Sequence, residues 1–511
     1  MTPSIPATST NTNLFDAPSG ALLTPAPEDP APQNVAPNRG DPDINSTDTS
    51  TVGLLPDWSV GEWLAYGSLM LVAVLLTAIA VTTLWWMLHA WRSRDSLQRT
   101  GFAKIPRPAA YSFSLLVPGR HEEEVMGQTL DKLAEQDHPD FEIIAIVGHD
   151  DPGTEAVARA AAARHPELIK VVVDDSVPKN KPKALNLALK TARGSVVGVF
   201  DAEDDVHPRL LSLVDSRFTE TSADVVQGGV QLMNFDTTWW SLRNVLEYYF
   251  WFRSRLHFHA NAKFIPLGGN TVFIKRTWLD WSNGWDAECL AEDCEVGVRL
   301  SSQGATVAVA YSPEVVTREE TPGTLKSLFK QRTRWNQGFL QVLGKGEWRK
   351  LPSARQRLFA RYILAMPFLQ AATGLLIPVS IVLILTAKVP VGVALITFLP
   401  LGPTIVTLAA EAAGLHEFGK LYGRKVRMRD YVRLVLGTFP YQVFLAAAAV
   451  RAVWRQIRGE NSWEKTEHTG AHRTDFAPLP GKEPQLVGAG HGSGFAKEPQ
   501  FSGSAGSGAA S

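Results

Sequence analysis

Cysteine is nearly absent from this chain of 511 residues, with Cys289 and Cys294 the only two. Two thiols exclude a disulfide framework, no Cys/His spacing is that of a zinc site, and both are expected to be reduced and buried. Net charge is missing too: 50 Lys and Arg against 51 Asp and Glu leave −1, so nothing pulls the chain as a whole toward nucleic acid, and none is expected as a partner. Two nucleotide motifs are also lacking. No Gly-x-Gly-x-x-Gly follows the first strand-like run and no Gly-x-x-x-x-Gly-Lys-[Ser/Thr] occurs anywhere, which argues against a nicotinamide dinucleotide fold and a P-loop ATPase. Residues 1–56 have no apolar period and one basic residue, Arg39. They read as a disordered tail rather than a signal peptide, and the Gly/Ser/Pro-rich residues 468–511 read as a second one.

Long apolar runs are what the chain does have. Residues 61–90 are uncharged after Glu62 and long enough to cross a bilayer, with Trp58, Trp63, Trp85, Trp86 and Trp91 marking the two interfaces. Arg92, Arg94, Arg99, Lys104 and Arg107 follow, so the positive-inside rule puts residue 92 onward in the cytosol. Three further membrane segments are expected in 356–455, at 359–387, 390–412 and 431–453, interrupted by Pro367, Pro378, Pro400, Pro403 and Pro440. The last is basic on both sides, and spanning or re-entry both remain open for it.

Between the membrane parts, residues 92–355 form an α/β domain. Strands are expected at 114–117, 143–147, 169–173 and 196–200, with helices at 122–135, 154–164, 181–192 and 208–219. Such alternation predicts a mostly parallel, doubly wound sheet with its site along the carboxyl edge of the strands. The fourth strand ends in Asp201-Ala202-Glu203-Asp204-Asp205. Acids at the end of an apolar strand suit a hard divalent cation shared with a phosphate, while the same acids would also favour the start of the next helix. Lys181 and Lys183 open a predicted helix, where a cation is unfavourable unless an anion lies near; solvated lysines are the simpler alternative.

The order of motifs resembles the family 2 glycosyltransferases, in particular the membrane-embedded, cellulose-synthase-like branch. The turn Pro118-Gly119-Arg120-His121-Glu122-Glu123 resembles the family's Pro-x-x-x-Glu-Glu, and Asp150-Asp151 its base-contacting acid. Lys181-Pro182-Lys183-Ala184-Leu185-Asn186 is similar to Lys-x-x-Ala-x-Asn, Asp201-Ala202-Glu203 to Asp-x-Asp, and Ala291-Glu292-Asp293 to Thr-Glu-Asp with Ala for Thr. Gln331-Arg332-Thr333-Arg334-Trp335 matches Gln-x-x-Arg-Trp. Pro266 to Asn270 resembles a Gly-rich loop beside the donor sugar, and Trp463 to His468 resembles a short motif that follows the last membrane segment in some relatives, with 456–467 as a lid over the loaded nucleotide.

This resemblance implies a GT-A-like domain joined to transmembrane helices, in the plasma membrane with the catalytic domain cytosolic. It implies a metal-dependent, inverting transfer from a UDP-sugar to a growing polysaccharide or lipid-linked acceptor. Glu122, Asp151, Lys181, Asp201 and Arg334 would bind the nucleotide-sugar. Glu203, with Asp204 as substitute, would hold Mg²⁺ or Mn²⁺, Asp293 would be the catalytic base, and Gln331 and Trp335 would face the acceptor. A non-processive glycolipid enzyme and an inactive nucleotide-sugar-binding scaffold are the alternatives. Three membrane segments after the domain are few for a complete export channel, so an export or accessory subunit is a further expected partner.

Overall fold

The computed structural model describes residues 58–92 and 108–464. The expectations for residues 1–56, for 468–511 and for the lid beyond Glu464 lie outside the described residues.

The described residues open with a long apolar helix, α1 (Val60–Arg92), and then alternate. In order come β1 (Phe113–Gly119), α2 (Met126–Ala134), β2 (Phe141–Gly148), α3 (Pro152–Arg164), β3 (Ile169–Asp174), α4 (Lys181–Leu189) and β4 (Val196–Val199). Next are α5 (Leu210–Thr221), β5 (Val225–Gly228), β6 (Val230–Leu232) and α6 (Ser241–Phe250), which runs through a π-helical turn, Trp251–Arg255, into α7 (Leu256–Asn261). β7 (Val272–Lys275), α8 (Arg276–Ser282), α9 (Glu292–Ser302), β8 (Val307–Ala310), β9 (Thr317–Glu319) and α10 (Leu325–Lys345) complete the domain.

Seven strands form one sheet in the order β3-β2-β1-β4-β7-β5-β8. All neighbours are parallel except β7, which is antiparallel to β4 and β5. A small parallel pair, β6-β9, lies beside it. The chain adds β2 and β3 on one side of β1 and then β4 on the other, which opens a crevice at the carboxyl ends of β1 and β4. Alternate residues fill the two faces. Leu115, Val117 and Ile143 pack with α2, α3 and α5, while Leu116, Ile144 and Val197 pack with α4 and α6. The first helix starts at Met126 rather than 122, because His121 adopts a left-handed φ of 54° and the Glu122 N–H is tied to Thr154 Oγ1 at 2.9 Å.

A capped amphipathic helix, α11 (Ala354–Leu364), leads to α12 (Met366–Thr386), α13 (Val391–Thr397), α14 (Leu401–Leu421) and α15 (Met428–Arg458). Among the described residues four stretches are long and apolar enough to cross a membrane: Val60–Arg92, Met366–Thr386, Val391–Leu421 and Met428–Arg458. Their faces expose Leu71, Val382, Leu385, Leu395 and Phe439, as lipid contact requires. The segment expected from residue 359 starts at Met366, since α11 carries Arg355, Arg357 and Arg361 and ends at Leu364. These helices are locked to the domain. Arg243 and Arg253 of α6 and its π turn meet Glu411 and Glu417 of α14 at 2.5 Å each. A Cβ on Gly414 would lie 2.4 Å from the Phe250 ring, so only glycine permits that crossing.

Candidate active site

The carboxyl end of β4 delivers Asp201 into the crevice. The turn there is pinned from below: Asp204 accepts from the Asp201 N–H at 2.9 Å, and the Ala202 carbonyl accepts from Thr129 Oγ1 at 2.6 Å. Asp201 and Glu203 thus face the cleft while Asp204 turns inward, fully buried, to accept from Asn270 Nδ2 at 3.1 Å. Asn270 also donates to Glu319, and burial together with Asp201 raises the Asp204 carboxyl well above the usual range. Asp204, the expected substitute metal ligand, therefore sits behind the turn rather than in the cleft lining, its Oδ2 accepting from the Asp201 N–H and its Oδ1 from Asn270.

Lys181 donates to Asp201 and, at 2.9 Å, to the Gly269 carbonyl. Burial opposes its charge, but Asp201, Glu292 and Asp293 outweigh burial and hold its pKa above the ordinary lysine value. Asn180 caps the helix by accepting from the Lys183 N–H at 3.0 Å. Asn186, at the end of the same motif, does not face the donor. Its side chain brackets Trp285, accepting from the backbone N–H at 2.8 Å and donating to the carbonyl at 2.7 Å. Gly284, at φ +73°, is there because any Cβ would strike Asn186 Oδ1 at 2.1 Å.

That anchored loop leads to Glu292 and Asp293 in the first turn of α9. Both acids line the cleft. Burial pushes Glu292 up to about 7, with the Asp293 charge adding to it and Lys181 and Arg334 opposing. Burial raises Asp293 as well, against hydrogen bonding from the Cys294 N–H and the same two cations. The sequence reading singled out Asp293 alone; Glu292 shares its proton economy, and its adjacency was the available signal.

On α10, Gln331, Arg334 and Trp335 line the opposite wall. The Arg334 guanidinium stacks 4.4 Å from the Trp463 ring, and Gln331 Oε1 and Arg334 Nε are buried without hydrogen-bond partners. Glu464 holds Trp463 there through Arg451 (2.8 Å) and Arg455 (2.6 Å). A Cβ on Gly338 would meet the Ala291 Cβ at 2.3 Å, so α10 lies directly on the Ala291-Glu292-Asp293 turn. Gly338→Val is therefore expected to destabilise the protein by about 1–3 kcal/mol through overpacking and to depress activity further by displacing that turn. Thermal melts of the variant in detergent, with UDP release measured in parallel, check both.

At the second strand the structure reassigns a role. Asp151 caps α3, accepting from the Thr154 N–H at 3.2 Å and the His121 N–H at 2.5 Å, and does not line the cleft. Burial opposes its ionisation, yet those hydrogen bonds hold it below the usual carboxylate range. Its neighbour Asp150 faces the cleft and pairs with Arg120 at 3.0 Å; Glu122 lines the same end. Glu319, buried beneath Asp201, was not anticipated, and no motif marks it.

The groups that face the crevice border one cleft of about 1500 Å³, which continues past Tyr248 to Trp86, Met366 and Leu445 on the apolar helices. No three acid, His or Cys side chains converge as a protein-only metal cage among the described residues. Asp201 and Glu203 together still fit a hard cation that takes its remaining oxygens from a diphosphate, and the surplus of carboxylates around Asp204 is what such a cation relieves.

A mostly parallel sheet with acids at its switch point, faced by a lysine and an arginine, suits a ligand that carries phosphate. Residues 108–338 match the family "Glycosyltransferase like family 2", and the chain thus contains a family 2 glycosyltransferase domain. It is 26% identical over 290 residues to a β-monoglucosyldiacylglycerol synthase of Synechocystis, spanning 56% of this chain and 57% of that protein. It is 24% identical to a poly-β-1,6-N-acetyl-D-glucosamine synthase of Staphylococcus epidermidis, over 57% of this chain and 69% of that one. The mannosyltransferase PcManGT of Pyrobaculum calidifontis, solved with GDP-Man and Mn²⁺, superposes with a TM-score of 0.49 at 20% identity, covering 77% of this chain and 99% of that one.

Proposed function

We propose that this protein is a membrane-bound, divalent-metal-dependent, inverting glycosyltransferase that transfers a sugar from a UDP-sugar to a growing polysaccharide or a lipid-linked acceptor. The observation that carries the reading is the single cleft joining Asp201, Lys181, Asp293 and Arg334 to the apolar helices. Its domain over 92–355 would lie in the cytosol, at the plasma membrane, with α1 and the helices of 356–455 in the bilayer.

In this reading Glu122 and Asp150 lie toward the base, while Lys181 and Arg334 grip the diphosphate. The acceptor hydroxyl, aligned by Gln331 and Trp335, attacks the anomeric carbon from the Asp293 side. The C–O bond to the acceptor forms as the C–O bond to the diphosphate breaks; the bonding pair leaves on UDP, and the hydroxyl proton passes to an Asp293 oxygen. Mg²⁺ or Mn²⁺ at Glu203 and Asp201 would supply neutralisation of charge on the departing diphosphate. Trp463, beside Arg334, would shield the site as part of a lid over the nucleotide.

Glu203→Ala and Asp204→Ala separate the two acids. Glu203→Ala is expected to weaken Mn²⁺-dependent UDP binding about tenfold or more with little change in melting temperature. Asp204→Ala is expected to cost about 1–3 kcal/mol by leaving the Asp201 N–H and Asn270 unpaired, with the Mn²⁺ response retained. Calorimetric titration and thermal melts read both, and a lost Mn²⁺ response in the second variant would return Asp204 to the ligand set.

The test of the function is a panel of UDP-sugars given to the solubilised protein with Mg²⁺ or Mn²⁺, following UDP release and product size. A ladder from one donor establishes a processive synthase, and a single addition to lipid a glycolipid enzyme. UDP binding with no release from any donor would overturn the reading in favour of a scaffold.

A further inference from the structure

The apolar end of the cleft holds a cation with no anion to match it. Around α6 and its π-helical turn, Arg243 pairs with Glu411, Arg253 with Glu417, and Arg332 with Glu247. Glu247 is occupied again by the Tyr441 hydroxyl at 3.0 Å. Four arginines thus meet three glutamates, and the one left over is Arg255: among the described residues no carboxylate lies within ion-pair distance of it. Among the described residues its only hydrogen bond runs from Nε to His259 Nε2 at 3.4 Å, and burial holds that imidazole neutral.

The guanidinium is nevertheless held in place. It lies 4.0 Å from the Trp86 ring of α1 and 4.8 Å from that of Trp251, and it lines the cleft where α1, α11 and α12 border it. The π turn that presents it is a rare local departure from α-helix, of a kind frequent at functional positions. Desolvation pulls its pKa down to about 10, the mark of a cation in want of a counter-charge. Two aromatic faces orient such a cation but leave its N–H donors open to a planar or tetrahedral anion.

We propose that Arg255 is the docking point for an anionic lipid phosphate, so that the acceptor of this enzyme is a phosphate-bearing lipid entering from the bilayer between α1 and α12. This rests on the glycosyltransferase reading and names the acceptor class for it. The headgroup phosphate sits on Arg255 between the two tryptophans, the acyl chains follow Ile79 and Met366 into the membrane, and the free hydroxyl points along the cleft toward Trp335 and Asp293.

The test uses the full chain in phosphatidylcholine nanodiscs containing either phosphatidylglycerol or diacylglycerol, together with Arg255→Met, which keeps the bulk between the rings, and Arg255→Lys. Native mass spectrometry of the released protein should find phosphatidylglycerol retained in preference to diacylglycerol by the wild type, and the preference lost in Arg255→Met. With the donor identified by the UDP-sugar panel, the KM for the anionic lipid should rise about tenfold or more in Arg255→Met with a smaller change in kcat, and Arg255→Lys should recover part of it. UDP affinity checks that the variants are folded. Should Arg255→Met fail to fold, the wild-type preference and its competition by inorganic phosphate still decide. Equal retention of charged and neutral lipid, or displacement by inorganic phosphate as effective as by lipid, overturns the proposal. UDP release that ignores lipid charge sinks this inference alone, whereas no UDP release with any donor sinks the glycosyltransferase reading beneath it.

Discussion

Asp293→Asn is expected to abolish sugar transfer, lowering kcat by about 10²–10⁴-fold while UDP binding is kept. The amide preserves shape in a first helical turn packed against Gly338 and Gly269, where a Cβ on Gly269 would already lie 3.0 Å from an Asp293 oxygen. What is lost is the only function the substitution targets, acceptance of a proton. The raised pKa of the pair has a consequence for pH. An acid whose pKa is raised carries its proton to higher pH, so a base drawn from this pair loses activity as pH falls, with an acid limb in kcat/KM above the ordinary carboxylate range and toward the value of about 7 held by Glu292. Glu292→Gln should move the limb to lower pH by removing the neighbouring charge. Single-turnover kinetics across pH check both, and near-normal turnover by Asp293→Asn would transfer the role of base to Glu292.

Arg334→Met is expected to cost about 10²–10³-fold in kcat/KM, the scale for removing one preorganised charged donor. Its guanidinium is buried, stacked on Trp463 and partnered through space by Glu292 and Asp293, so no side chain nearby can replace it. Because Arg334 opposes the raised pKa of both acids, its loss should also shift the acid limb upward. A purely structural arginine would lower activity without moving the limb, so the pH profile separates the two explanations. Arg334→Lys should not restore full activity, since an ammonium neither stacks on the indole nor offers a planar fork.

Much of this architecture is legible without coordinates. Long uninterrupted apolar runs are buried strands or membrane helices, so β1 to β4 fall within a few residues of expectation and the four long helices within about nine. The strands β5, β6, β8 and β9 escape notice because their runs of three or four residues carry no readable period. Site residues divide in the same way. Glu122, Lys181, Asp201, Glu203 and Asp293 reach one cleft as their strand ends and helix starts imply, and Gln331, Arg334 and Trp335 join them from within α10. Within the doublets Asp150-Asp151 and Glu203-Asp204, spacing alone does not say which carboxylate faces out.

What the sequence by itself determined is the chemistry at hand and the order of elements that carry it: acids after an apolar strand, cations opening or lining helices, and membrane segments on either side. The tertiary structure alone decided which groups are left over. Asp151 and Asp204 are taken up by backbone N–H groups of neighbouring turns, Asn186 by Trp285, and Arg243, Arg253 and Arg332 by glutamates 85 to 168 residues away, whereas Arg255 is left facing the cleft. Side-chain partnership is settled by distance in space and by competition for donors and acceptors, and a linear chain records neither.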